Sequence, residues 1–223
     1  MRNPLLGPSA RLGIDDVLAQ YPGLALQPSP SRELVLGGEF GFAASIPDIG
    51  TLQDSFEIEI RVAADSFPTV LPSVREIAGR IPRTFHKLAD GSLCLGAPLA
   101  VQAALRGKAS LLQFIERCII PYLAGYAVFE RTGKMPFGEL SHGRKGLLEE
   151  YRNLTGADTN AQCVAFLKLL GMKKRIANKL ECPCGSGRRV GKCHHRRLIS
   201  LRRSVTGRAW FRGAAYQIES TGV

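Results

Sequence analysis

The sequence has no hydrophobic run long enough to cross a bilayer. Its apolar stretches 93–105 and 118–129 both contain proline, and both fall short of the ~20 residues that a spanning helix needs. The opening stretch, MRNPLLGPSARLGIDD, has no continuous apolar core of the kind a secretory signal carries. These absences predict a cytoplasmic protein with no membrane partner, in a reducing compartment. There the six cysteines read as metal ligands, catalytic groups or core residues, ahead of disulfides. Acidic residues are scarce at one end. Residues 173–223 hold 2 acids against 13 Lys and Arg, whereas residues 1–172 hold 17 of each. The entire net charge of +11 therefore sits in the tail, and the body shows no bias toward polyanions. Internal repeats and heptads are also missing, which excludes solenoids and coiled coils.

What is present is ordinary globular composition, 45% apolar and 22% charged over 223 residues. Residues 14–21 suit a short amphipathic helix ended by Pro22-Gly23. A polar loop, 27–32, leads to RELVLGG, EFGFAAS and SFEIEIRV. In the last of these Phe56, Ile58, Ile60 and Val62 share one face. Three short strands with glycine or loop punctuation predict an antiparallel meander. The stretch 79–106 has no sustained period and reads as a long structured loop, which is uncommon unless functional. Helical spacing returns at 109–131, where Pro121 should kink or split the element, and again at 146–154 and 159–172. The expected class is α+β. Charge and motif together divide the chain into a body, 1–172, and a basic tail, 173–223.

Within the long loop, Cys94 follows the turn-forming pair Asp90-Gly91 and lies between Leu93 and Leu95. Taken alone, a cysteine between leucines is more often a core residue. Its surroundings change that weighting. Phe67-Pro68-Thr69-Val70-Leu71-Pro72-Ser73-Val74 resembles the Tyr-Pro-x-x-Pro-Pro-x-Val segment of ubiquitin-conjugating enzymes. His86, followed by Asp90-Gly91-Ser92-Leu93-Cys94-Leu95, is similar to that family's His-Pro-Asn and Asn-Gly-x-Ile-Cys-Leu. The order of elements matches as well, and the resemblance covers roughly residues 12–165. It is closest to the bacterial conjugating enzymes found beside cGAS-like nucleotidyltransferases in antiphage (CBASS) operons, a similarity to which Pro136-Phe-Gly-Glu-Leu-Ser-His142-Gly adds.

The resemblance implies a ubiquitin-conjugating-type fold and transthiolation. Cys94 would accept the C-terminal glycine of a ubiquitin-like protein, or of a partner such as the nucleotidyltransferase, from an activating enzyme, and pass it to an amine. A thiolate is the nucleophile this requires. His86 would orient the loop or raise the thiolate fraction, Asp90 would help deprotonate the amine, and His142 would fold back on the cysteine. Three features depart from the family. Lys87-Leu88 stands where the family has Pro-Asn, the His-to-Cys separation is eight residues where the eukaryotic pattern has ten, and the Trp-Ser-Pro after the cysteine is absent. Oxyanion stabilisation is left without an assigned residue.

Residues 181–195 read ECPCGSGRRVGKCHH. Cys182-x-Cys184, eight residues, then Cys193-His194 place four metal-ligating groups within 13 positions, a set that suits tetrahedral zinc. His195 is the fallback fourth ligand. The pattern resembles the SEC-C metal-binding motif almost letter for letter, and in that motif His194 is the fourth ligand. With no place for water the site is expected to be structural, and the small module around it to depend on the metal for folding. Cys118 and Cys163 fall on apolar helical faces and read as core. The flanking basic residues, interleaved with Trp210, Phe211 and Tyr216, suit either nucleic acid or an acidic protein surface. Three functions therefore compete: a conjugating-type acyl transferase, a non-catalytic module that binds a ubiquitin-like tail, and a zinc protein associated with nucleic acid or the ribosome.

Overall fold

The computed structural model describes residues 12–29, 32–105, 109–136, 143–204 and 207–220, the side chains of 143 and 144 excepted. The chain forms two compact units. The first joins Met1–Gly96 to Lys108–Leu140, and the second joins Ala97–Gly107 to Ser141–Val223. Both helix and antiparallel sheet are present, so the class is α+β.

In the first unit, helix α1 (Ile14–Gln20) buries Ile14 and Val17 and carries Asp15 and Asp16 in its first turn, where the helix dipole favours them. Strands β1 (Leu24–Gln27), β2 (Leu34–Ile46), β3 (Gly50–Val62) and β4 (Ser73–Glu76) follow as a meander, each pairing antiparallel with the next. The alternation of β3 is realised, with Leu52, Phe56, Ile58, Ile60 and Val62 all buried. RELVLGG and EFGFAAS are not two strands, however. They run together as β2, and Gly37-Gly38 marks a close approach rather than a break. Leu24 pairs with Gly38, and a Cβ on Gly38 would lie 2.2 Å from the Gly23 carbonyl oxygen.

Helix α3 (Leu111–Thr132) lies across β2 and β3. It begins at Ser110, whose hydroxyl accepts the Gln113 N–H, and ends at left-handed Gly133. Pro121 does not split it. The turn before the proline, Ile115–Ile119, widens to a π-turn and the helix continues. By length and composition α3 could cross a membrane, but 61% of its most apolar 18-residue window is buried, as expected of a core helix. No other helix among the described residues is long and apolar enough.

Arg80 ties this unit together from its surface. The guanidinium lies 4.1 Å over the Phe56 ring, pairs with both Asp54 oxygens at 2.8 and 2.9 Å, and reaches Glu130 at 2.6 Å. Arg131 holds Asp54 from another side at 2.9 Å.

The second unit contains α2 (Pro98–Ala104), α4 (Gly143–Thr155), α5 (Asn160–Gly171), α6 (Lys174–Ala177), α7 (His195–Ser204) and α8 (Arg208–Ser220). Helix α2 lies within the stretch read as loop, its start marked by Pro98 in the first turn. Helix α5 opens with a capping box formed by Thr159 and Gln162. One apolar cluster joins Tyr151, Phe166 and Leu170 of the expected body to Cys182, Val190, Leu198 and Phe211 of the expected tail. The boundary drawn at 172/173 thus falls inside this unit, because the metal-ligand segment packs on α5 and shares its core.

The hydrogen bonds from Arg80 are the chief reason that Asp54 and Glu130 ionise below the usual carboxylate range. A carboxylate with a lowered folded pKa adds stability at neutral pH that is lost as the pH falls through that value. Arg80→Leu is expected to destabilise the first unit by about 2 kcal/mol at pH 7. Its stability should also fall less steeply than the wild type's below about pH 4. Urea unfolding followed by amide exchange in β2 and β3 reads both effects.

Candidate functional site

Residues 86–94 close into a hairpin-like loop. The Cys94 N–H donates to the His86 carbonyl at 2.8 Å, the Leu88 N–H to Ser92 at 2.8 Å, and Lys87 bridges Leu93. At the tip, Asp90 Oδ1 accepts both the Ser92 N–H (3.0 Å) and the Ser92 hydroxyl (2.6 Å), an Asx turn of the kind that Asp-Gly favours. The Leu93 N–H donates to Val74 at 2.7 Å and anchors the loop to β4. Cys94 is half-buried while its neighbour Leu93 is buried, so packing grips the chain beside a cysteine that is itself partly exposed.

The loop brings His86 and Cys94 together through the backbone. His86 has a φ of 36°, in the left-handed region, and its ring meets the Phe85 edge at 5.1 Å. Asp90 lies at the exposed tip, with Arg75 3.9 Å from its other oxygen. The Ser92 hydrogen bonds hold its carboxyl below the ordinary range, which keeps it ionised and makes it a weaker base. His142 lies outside the described residues.

Four residues that support this loop were not read from the sequence as site residues. Glu76, buried at the end of β4, accepts the Arg80 and Ile81 N–H groups, each at 3.1 Å. Lys87, itself nearly buried, donates to the Ile81 carbonyl at 2.7 Å and lies 3.8 Å from Glu76. Tyr122 of α3 places its hydroxyl 3.1 Å from the carbonyls of both Phe85 and His86. One turn later Tyr126 donates to the Arg80 carbonyl at 2.6 Å. The available signals were a charged residue at an inward position of β4 and a tyrosine pair at i, i+4 on an apolar helix.

In the second unit the four expected ligands converge. Cys182 Sγ, Cys184 Sγ, Cys193 Sγ and one His194 ring nitrogen all lie within 4.8 Å of one another. The Cys184–Cys193 sulfurs are 3.5 Å apart, and His194 Nδ1 is 3.2 Å from Cys182 and 3.3 Å from Cys193. Ligands 2.0–2.3 Å from a tetrahedral ion would stand about 3.5–3.8 Å apart, so the cluster fits a metal ion. His195 is outside this cluster, and its Nδ1 lies 3.3 Å from Asn178 Oδ1. Backbone bonds shape the cluster: Cys182 N–H to Arg188, Val190 N–H to Leu180 and Gly191 N–H to Asn178. Between the two ligand pairs the chain turns through left-handed Gly185 (φ 77°) and Gly187 (φ 65°). Phe166 supports the His194 ring at 4.9 Å.

The ligands differ in acidity. Burial pushes the Cys182 thiol up to about 12, while hydrogen bonds from Ser186 bring Cys184 down to about 7. A metal must displace the proton that burial holds on Cys182, so affinity should rise with pH.

Three tail arginines serve the fold. Arg197 donates to the Asn153 and Leu154 carbonyls at 2.7 and 3.0 Å, at the end of α4. Arg202 reaches Leu169 and Met172 at 2.7 and 2.9 Å, and Arg212 reaches Gly171 at 3.0 Å, at the end of α5. These are the carbonyls a helix leaves unpaired at its negative end, where cations are favourable.

Stripping the metal with a chelator, or replacing Cys193 by Ser, is expected to loosen α5 and α7 as well as the ligand segment, because Phe166 and Leu198 share a core with Cys182. Amide exchange should accelerate across the second unit by at least tenfold while β2 and β3 keep their wild-type protection.

The chain matches no protein-family model, no curated protein and no solved structure.

Proposed function

We propose that the chain is a ubiquitin-conjugating-type acyl transferase whose nucleophile is Cys94. The observation that carries this reading is the setting of Cys94. A half-buried cysteine closes a hydrogen-bonded loop that follows a four-stranded antiparallel meander and stands over a long helix of the same unit. The order of helix, meander, loop and helix supports a fold of the conjugating-enzyme kind.

The chemistry runs in two steps. The Cys94 thiolate attacks the activated C-terminal carbonyl of a donor, a ubiquitin-like or other protein ending in glycine. The bond to the activating group breaks and a thioester forms. An amine then adds to that carbonyl, the C–S bond breaks, and an amide forms as the thiolate leaves. Asp90 is the candidate acceptor of the amine's proton, and His86 shapes the loop. An activating enzyme supplies the donor, and bacterial antiphage defence is the setting that the resemblance favours. The metal of the second unit is assigned as zinc, since three thiolates and an imidazole suit it, and four protein ligands make the site structural.

Incubation with donor and activating enzyme should give an adduct that reductant removes and Cys94→Ala abolishes. Absence of an adduct with every encoded donor would sink the reading and leave a non-catalytic tail-binding module.

A second reading, contact with nucleic acid, has its own observation. Apart from the three helix-capping arginines, ten Lys and Arg of residues 173–223 make no ion pair among the described residues. Binding to RNA or duplex DNA should then weaken at least about a hundredfold between 50 and 200 mM salt. A flat salt response would rule out phosphate contacts as the purpose of the tail.

A further inference from the structure

We infer that Tyr122 is the positioning residue of Cys94. Its hydroxyl holds the His86 peptide whose carbonyl fixes the Cys94 amide. The catalytic half of this inference rests on the acyl-transfer reading, and the positional half does not.

His86 is held in a conformation that a side chain with a Cβ adopts only at a cost, φ 36°. Something must hold it there, and its carbonyl shows what does. That oxygen accepts the Cys94 N–H at 2.8 Å and the Tyr122 hydroxyl at 3.1 Å. The same hydroxyl lies 3.1 Å from the Phe85 carbonyl. One phenolic proton is therefore shared between two successive peptides and ties both to α3. The route from Tyr122 to Cys94 is two hydrogen bonds through one oxygen atom.

The ring and the hydroxyl have separable tasks. The Tyr122 ring meets Phe85 edge-on at 5.9 Å, which a phenylalanine would reproduce. Only the hydroxyl reaches the carbonyls. Tyr126 supplies the internal comparison. It sits one turn further along the same helix, packs on Phe85 at 4.8 Å, and sends its hydroxyl to Arg80, at the entrance of the loop. Removing that hydroxyl frees a peptide six residues before His86.

Tyr122 also stays a donor under working conditions. Burial chiefly, and the negative charge of a Cys94 thiolate next, push its ionisation well above the ordinary tyrosine value. The hold on His86 therefore persists when Cys94 is charged and ready to attack. Acyl transfer is sensitive to such placement, since a displacement of about 1 Å at the reacting atom can cost about a hundredfold in rate.

The test compares Tyr122→Phe with Tyr126→Phe in the full chain with its metal bound. Loss of one hydrogen bond of ordinary strength should speed exchange of the Cys94 amide about fivefold in Tyr122→Phe. Tyr126→Phe should leave that amide at the wild-type rate, with the exchange of β2 and β3 unchanged in both. In single-turnover adduct formation Tyr122→Phe should be slower by tenfold or more. The donor concentration at half-maximal rate should stay within twofold of wild type, a split that a loss of folding would not give. Wild-type exchange at Cys94 in Tyr122→Phe overturns the inference, and so does an equal effect from Tyr126→Phe. If the wild-type chain forms no adduct, the acyl-transfer reading falls, and exchange at Cys94 alone decides whether Tyr122 positions it.

Discussion

The second unit carries 18 basic and 5 acidic side chains, and everything in it has to live with that repulsion. Among its described residues the sole ion pair is Lys168 with Glu219, at 2.6 Å. Carboxylates therefore do not offset the charge. The unit answers in two other ways. It lends Arg197, Arg202 and Arg212 to carbonyls at the ends of α4 and α5, where a cation meets the negative end of a helix. It also gathers three cysteines and a histidine within residues 182–194, where a metal can close a segment whose Cys182 and Val190 belong to the core of the unit. Three thiolates bound to a doubly charged ion would leave one negative charge, a small correction to the basic excess.

The first unit solves the opposite problem. Its 12 basic and 14 acidic residues nearly balance, and they pair. Arg80 and Arg131 share Asp54, Arg80 also takes Glu130, and Lys87 meets Glu76 beneath the Cys94 loop. Pairing of this kind fixes geometry more than it adds stability, since desolvation offsets much of the attraction. The two units thus handle charge differently, by ion pairs in the first and by helix-end carbonyls in the second.

Legibility in the sequence followed the range of the interactions. The metal ligands were readable because all four fall within a few turns of chain and their spacing alone dictates a shared centre. Spacing alone admits either His194 or His195; the resemblance to the SEC-C motif chose His194, the histidine found in the cluster. The meander was readable from the alternation of β3. Gly37-Gly38 was misread because a glycine demanded by a neighbouring strand looks the same in sequence as one that ends a strand. The boundary at 172/173 followed composition, whereas the core followed Phe166, whose ring packs on His194 nearly thirty residues later. Cys94 and His86 could be found by resemblance. Tyr122 could not, because its partners are main-chain atoms and any residue type can offer those.

Pro121 explains why Tyr122 is in place to act. A proline within a helix has no N–H to donate, and its ring crowds the carbonyl of the preceding turn. Here the preceding turn widens at Ile115–Ile119, which accommodates the proline and adds one residue to the helical count. That residue rotates everything after it by about 100° relative to an unbroken α-helix. Through the widened turn and beyond it the helix buries Phe114, Ile115, Cys118, Ile119, Leu123, Tyr126 and Ala127. Tyr122 and Tyr126 come round to the Cys94 loop, their hydroxyls on its backbone and their rings on Phe85. The helix runs on past the proline expected to break it, and the next residue, Tyr122, sets its hydroxyl against the carbonyl that accepts the Cys94 N–H.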